Sequence, residues 1–157
     1  MEKIRGFEAV VEEMRKETNE YILPTRGTSK SAGYDLASPI DVIIEPHSSV
    51  LIWTNVKAYM ADNEVLQLHV RSSVGIKKGL MLKNVTGIID ADYYGNESND
   101  GNIALALYNT GDEAVVIQKG DRLVQGIFVK YLTVDNDTFL KDERTGGIGS
   151  TNVTNKQ

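Results

Sequence analysis

The chain has 157 residues, 41% hydrophobic and 25% charged, with 22 Asp and Glu against 17 Lys and Arg for a formal net charge of −5. That length supports one compact core and is too short for two ordinary domains, while the composition excludes a largely disordered chain. The acidic balance excludes broad binding to nucleic acid or anionic membrane, no run approaches the roughly 20 apolar residues of a membrane span, and two histidines without a cysteine leave few ligands for the usual zinc site.

Met1 to Arg5 lacks the apolar core of an export signal, so the cytoplasm is the expected compartment. Phe7, Val10, Val11 and Met14 fall at helical spacing, yet Ile4 to Val10 reads equally well as an edge strand, and periodicity over so few residues leaves both open. Beyond Pro24 the pattern changes to short runs rich in Val, Ile and Leu. Turn chemistry separates them at Ser38-Pro39, Glu45-Pro46, Asp62-Asn63, Asn109 to Asp112 and Lys119 to Asp121. Apolar and polar positions alternate in Val65 to Val70 and Ile103 to Tyr108, and β-branched residues cluster at Val42 to Ile44 and Val115 to Ile117. Many short, closely spaced strands predict an all-β fold, a sandwich, jelly roll or barrel, with at most one or two short helices. Thr145 to Gln157 is Gly, Ser, Thr and Asn with little apolar content and is expected to be a mobile tail. The expected organisation is one β-rich domain over 1–143 and a flexible, Gly-rich arm over 144–157.

Five polar islands interrupt the strands: Ser31-Ala32-Gly33-Tyr34-Asp35-Leu36; Arg71-Ser72-Ser73 followed by Val74 to Gly79; Lys83 to Gly95; Gly120-Asp121-Arg122-Leu123-Val124-Gln125; and Arg144 to Thr151. In the third, an Asn amide can pair with a nucleobase edge, Gly lets backbone approach a ligand, a carboxylate can orient water and a Tyr ring can pack on a sugar. In the second, a guanidinium and hydroxyls at a strand-to-helix junction make a phosphate cradle. Together they point to a nucleotide hydrolase. Each island also has a plainer reading: Asp35 as a turn carboxylate satisfying backbone N–H groups, Arg71 as a solvated charge, Asp90 to Asp92 as an acidic hairpin turn, and Gln125 as an outward strand residue. Asp121 and Arg122 read as an internal ion pair shaping their turn, and His47, His69 and Trp53 have no partner that spacing identifies.

In their order along the chain the islands resemble the five motifs of the trimeric dUTP pyrophosphatases (dUTPases), and the likeness spans most of the sequence. The resemblance implies a jelly-roll-like subunit in a homotrimer with shared sites, hydrolysing dUTP to dUMP and pyrophosphate by in-line attack of water on the α-phosphate. It implies Asp90 as general base, Arg71, Ser72, Ser73 and Gln125 near the phosphates, and Asn84 with the backbone of Gly87, Ile88 and Ile89 on uracil. Tyr93 would lie under the deoxyribose, and Asp35 would hold waters of a Mg²⁺ bound to the triphosphate. Arg144, Ile148 and Gly149 would come from a neighbour's tail closing over the nucleotide.

The chain departs from the family pattern in four places. Arg144 lies one residue closer to its Gly pair, Ile148 replaces a stacking Phe, Tyr94 stands where many relatives carry Arg, and Asn96 to Gly101 lengthen a surface loop by about six residues. A related alternative is dCTP deamination on the same fold. It needs a Glu on the strand after the central island, and Asn102 to Asn109 carries no carboxylate. A further alternative is a nucleotide-gated regulator that binds a protein partner through the tail and the 96–101 loop.

Overall fold

The computed structural model describes residues 2–140 together with Arg144, Gly146 and Gly147. The expected Ile148 and Gly149 contacts lie outside the described residues, as does most of the tail. Among the described residues twelve strands form in chain order: β1 (Gly6–Ala9), β2 (Thr25–Arg26), β3 (Tyr34–Ala37), β4 (Val42–Ile44), β5 (Ser49–Trp53), β6 (Val56–Tyr59), β7 (Glu64–Val70), β8 (Leu80–Leu82), β9 (Gly87–Asp90), β10 (Ala104–Asn109), β11 (Val115–Ile117) and β12 (Arg122–Lys130). Helical structure is confined to short turns at Glu12–Met14, Ser73–Lys77 and Ala91–Tyr93 among the described residues. The fold is all-β and jelly-roll-like, as its β-branched runs and closely spaced turns require.

The strands pair antiparallel in a five-stranded sheet of order β2-β3-β12-β7-β9, a three-stranded sheet β5-β10-β8, and the pairs β1-β6 and β4-β11. Residues from all four sheets meet in one core, where Leu36, Ile44, Ile52, Leu66, Leu105, Leu107, Ile117 and Leu123 are almost wholly buried. Each such side chain contributes roughly 1.5–3 kcal/mol by leaving water. β10 follows its sequence pattern, with Leu105, Leu107 and Asn109 inward and Ala104, Ala106 and Tyr108 half-buried. β7 does not alternate so cleanly. It lies between β12 and β9, and Glu64, Val65, Leu66 and Leu68 are all buried. Glu64 tolerates this position because the Arg5 guanidinium donates to its carboxylate, which holds that carboxyl below the usual range.

At the amino end the strand reading holds for Gly6–Ala9, which pairs with β6 before a single tight turn at Glu12–Met14. Phe7 decides it: the ring packs 5.5 Å from Tyr34 and 5.4 Å from Phe128, an anchor on the five-stranded sheet. The following segment is held by Asn55, fully buried at φ 58°, whose amide donates to the carbonyls of Lys16, Thr18 and Glu20.

Candidate active site

The polar islands gather in two cavities. The first, about 450 Å³, lies where β9 meets β5 and β10. β9 is the outer strand of its sheet, so along its open side the backbone of Gly87, Ile88 and Ile89 has no ladder partner among the described residues and can read the edge of a base. Gly87 is required by close approach, since a Cβ there would fall 2.8 Å from the Cβ of Leu68. The turn before it is strained: Val85, a β-branched residue, sits at φ 66° and leaves Asn84 at the cavity mouth.

Asp90 ends β9 and half its side chain faces solvent. The next turn folds Tyr93 inward, where its hydroxyl donates to the Asn102 carbonyl at 2.5 Å and accepts from Asn99 Nδ2 at 2.9 Å. Burial raises the Tyr93 pKa above its ordinary value, against the opposing Asn99 hydrogen bond, so the ring is a neutral wall of the cavity. Arg144 comes over the same wall. Its Nη2 donates to Asp90 Oδ2 at 2.7 Å, its Nε donates to Asp92 Oδ1 at 2.9 Å, and its guanidinium carbon lies 5.9 Å from the centre of the Tyr93 ring. Arg144 thus reaches the Asp90 of the same chain. Val129 of β12 and Asp90 of β9 pair with Val65 from opposite sides, so β12 ends level with Asp90 but two strand spacings, about 10 Å, away across β7.

The second cavity, about 340 Å³, gathers Asp35, Arg71, Ser72, Arg122 and Gln125 with the loop Gly27, Thr28, Ser31 and Gly33. Arg71 follows β7. Its backbone N–H donates to the Leu123 carbonyl at 3.0 Å, and its own carbonyl accepts from Val74 and Gly75 as the helical turn begins. Asp35 sits between two guanidiniums, with Arg71 Nε 3.3 Å from Oδ1 and Arg122 Nη1 3.2 Å from Oδ2. The expected Asp121–Arg122 pair is therefore corrected: Arg122 turns to Asp35, and Asp121 accepts from the backbone N–H of Gln118. β12 sets this arrangement through a register shift between Arg122 and Val124. Ser73, expected beside the phosphates, is exposed at the start of the turn and does not line the cavity as Ser72 does.

One chain separates the two cavities. Asp35 pairs with Gln125, Gln125 with His69, and Asp90 with Val65 on the same β7. Three strand spacings of about 4.8 Å and four residues of about 3.3 Å put Asp35 roughly 20 Å from Asp90. A larger hollow of about 770 Å³ on the β4-β11 pair has Val42, Ile43, Val116 and Ile117 in its wall and brings together no comparable chemistry.

Several contributors escaped the motif reading. Leu51, Leu68, Ala104 and Ala106 line the first cavity and Gly27 and Thr28 the second, while Lys83, Ser31 and Arg122, which fell inside the islands without a site role, line the cavities as well. The alternation of β10 already placed Ala104 and Ala106 on one face, which was the available signal. His47 also has a partner that spacing did not reveal, with Nε2 2.8 Å from Asp112 Oδ1 on the surface. The Lys16 ammonium lies 5.5 Å from the centre of the Trp53 ring.

Comparison with known proteins agrees with this geometry. The dUTPase family model matches residues 19–152. A deoxyuridine 5′-triphosphate nucleotidohydrolase of Lactococcus lactis is 47% identical over 150 residues, covering 95% of this chain and 98% of that protein. The crystal structure of dUTPase from Streptococcus mutans superposes with a TM-score of 0.75 at 45% identity, covering 83% of this chain and 98% of the other. A likeness of fold extends to a mutant dUTPase from phage phi11 of S. aureus, a structure described for its coordination of a structural Mg(II) ion, at 22% identity, TM-score 0.69 and coverage of 88% and 98%. With two cavities built from its motifs and relatives matched over nearly their full length, the chain belongs to the dUTPase family.

Proposed function

We propose that this protein hydrolyses dUTP to dUMP and pyrophosphate. The observation that carries the reading is the convergence of Asn84, the open edge of Gly87–Ile89, the Tyr93 ring and the Asp90 carboxylate on one cavity. Asn84 and the β9 backbone read uracil, and Tyr93 supports the deoxyribose. Asp90 accepts the proton of the attacking water and aims it at the α-phosphate. Leaving a buried polar group of the site unpaired with a wrong base costs roughly 1–3 kcal/mol, which is the source of selectivity. Ala104 and Ala106 are the β10 residues in that cavity, so a deaminase carboxylate is missing from the strand that would carry it.

Arg71, Ser72 and Gln125 hold the phosphates, and Arg122 joins them. Guanidiniums give short, charge-assisted bonds to phosphate oxygens and stabilise charge that develops on them. Among the described residues no group of three or more His, Cys, Asp or Glu is placed to hold a metal, and Asp35 is the only carboxylate among those lining the second cavity. That donor set fits Mg²⁺, which keeps several waters and takes substrate phosphates as ligands, with Asp35 holding one of those waters. When bound, Mg²⁺ neutralises charge on the triphosphate.

The separation of the cavities supports a homotrimer. A sugar seated at Asp90 cannot put its triphosphate on the Asp35 cluster of the same chain, so facing surfaces of two copies complete one site. The organisation proposed is a catalytic domain through residue 143 with a short arm beyond it, and the cysteine-free composition supports a cytoplasmic location. The test is pyrophosphate release from the deoxynucleoside triphosphates, with and without Mg²⁺. dUTP alone should react, faster with the metal; an intact dUTP pool, or equal release from dTTP, overturns the reading.

A further inference from the structure

We propose that Asn99 is a positioning residue that couples the seating of the tail at Gly147 to the placement of Tyr93. The proposal deepens the reading of the first cavity as the nucleoside site and rests on it. The stretch from Asn96 to Gly101, expected as a tolerant surface loop, is instead bolted inward, with Asn96 and Asn99 only 5% and 6% exposed. Asn96 Nδ2 donates to the Tyr93 carbonyl at 2.7 Å and to Asn99 Oδ1 at 2.7 Å. Asn99 Oδ1 also accepts from the Gly101 N–H at 3.0 Å. Asn99 therefore has its oxygen spent on the loop and its Nδ2 spent on the Tyr93 hydroxyl.

The tail meets that same nitrogen. A Cβ at Gly147 would fall 2.8 Å from Asn99 Nδ2 and 3.3 Å from Ser98 Oγ. Only a bare backbone can approach this closely, and any side chain there would push the amide away from Tyr93. With the tail in place the Asn99–Tyr93 hydrogen bond is shielded from water and electrostatically stronger. Arg144, three residues earlier, lies over the Tyr93 ring. One amide thus reports the seated tail to the sugar-facing ring, and the lengthened loop exists as the seat.

The test is a double-mutant cycle on kcat/KM for dUTP with Asn99→Asp and Gly147→Ala. Asn99→Asp keeps the oxygen that the loop uses and replaces the donor to Tyr93. Each single variant should lose roughly tenfold, the effect of one unmade buried hydrogen bond; Asn99→Asp should also lower the thermal midpoint, because it buries a carboxylate, whereas Gly147→Ala should leave the midpoint near the wild-type value. The double variant should lose about tenfold as well, because both act through one atom. Multiplicative losses, or wild-type kcat/KM in Gly147→Ala, overturn the coupling. Should Asn99→Asp fail to fold, Gly147→Ala decides by itself, and the Tyr93 phenol should then titrate higher than in the wild type as its donor is displaced. A wild-type protein that leaves dUTP intact instead defeats the functional reading, a result visible before any variant is made.

Discussion

The two cavities divide the labour of the site between backbone and side chain. Around Asp90 the walls are an open strand edge, a glycine that tolerates no Cβ and a tyrosine clamped by two asparagines. Around Asp35 they are charges that satisfy one another, two guanidiniums on one carboxylate. The first arrangement is stiff before any ligand arrives and suits discrimination of a base. The second can exchange Asp35 for phosphate oxygens with little movement and suits a flexible polyanion.

Four substitutions sharpen that contrast, taken from the largest effect. Asp90→Asn should lower kcat roughly 10²–10⁴-fold while a non-hydrolysable dUTP analogue still binds in calorimetry, because only the proton acceptor is lost. Arg71→Ala should instead raise KM, roughly ten- to a hundredfold, and weaken the dependence of KM on salt, since charged hydrogen bonds to phosphate are what it removes. If Arg71→Ala left KM unchanged, the phosphates would have to sit elsewhere. Gly87→Ala should cost about 1–3 kcal/mol in chemical unfolding, because β9 must move off Leu68, and should erode the preference for dUTP over dTTP. The smallest effect is an alkaline one on the lengthened loop's flank. The Tyr94 hydroxyl donates to Glu8 Oε1 at 2.5 Å, and that bond, then burial, pushes the phenol up to about 12. Its folded value lies above the unfolded one near 10, so its stabilisation is complete below that and lost as pH rises through about 12. Tyr94→Phe should abolish this loss between those limits, read as thermal midpoint against pH.

The all-β class and the site were legible wherever chemistry was local. Turn residues marked strand ends, β10 showed its alternation, and Asp90, Tyr93 and Asn84 fell in one short run that the fold keeps together. What could not be read depends on partners far along the chain. Arg122 and Asp35 are separated by 87 positions and meet only through the β3–β12 register and its irregularity. β7 hid its environment because both of its neighbours are in place only after the sheet forms. The asparagines of the 96–102 stretch read as ordinary surface turn residues. They are buried because Asn102 Oδ1 accepts from the Asn55 N–H across 47 positions and Asp100 pairs with Lys57 at 2.8 Å, and no window along the sequence contains both ends.

The seating of Arg144 and Gly147 on the nucleoside cavity has a practical side. An affinity handle or fluorescent fusion joined to the carboxyl end would hang from the few residues that must bring Arg144 and Gly147 down onto the cavity, and its drag would be felt as sluggish turnover. Labels for purification or imaging belong at the opposite terminus, where β1 is stitched to β6 and to the aromatic anchor of Phe7.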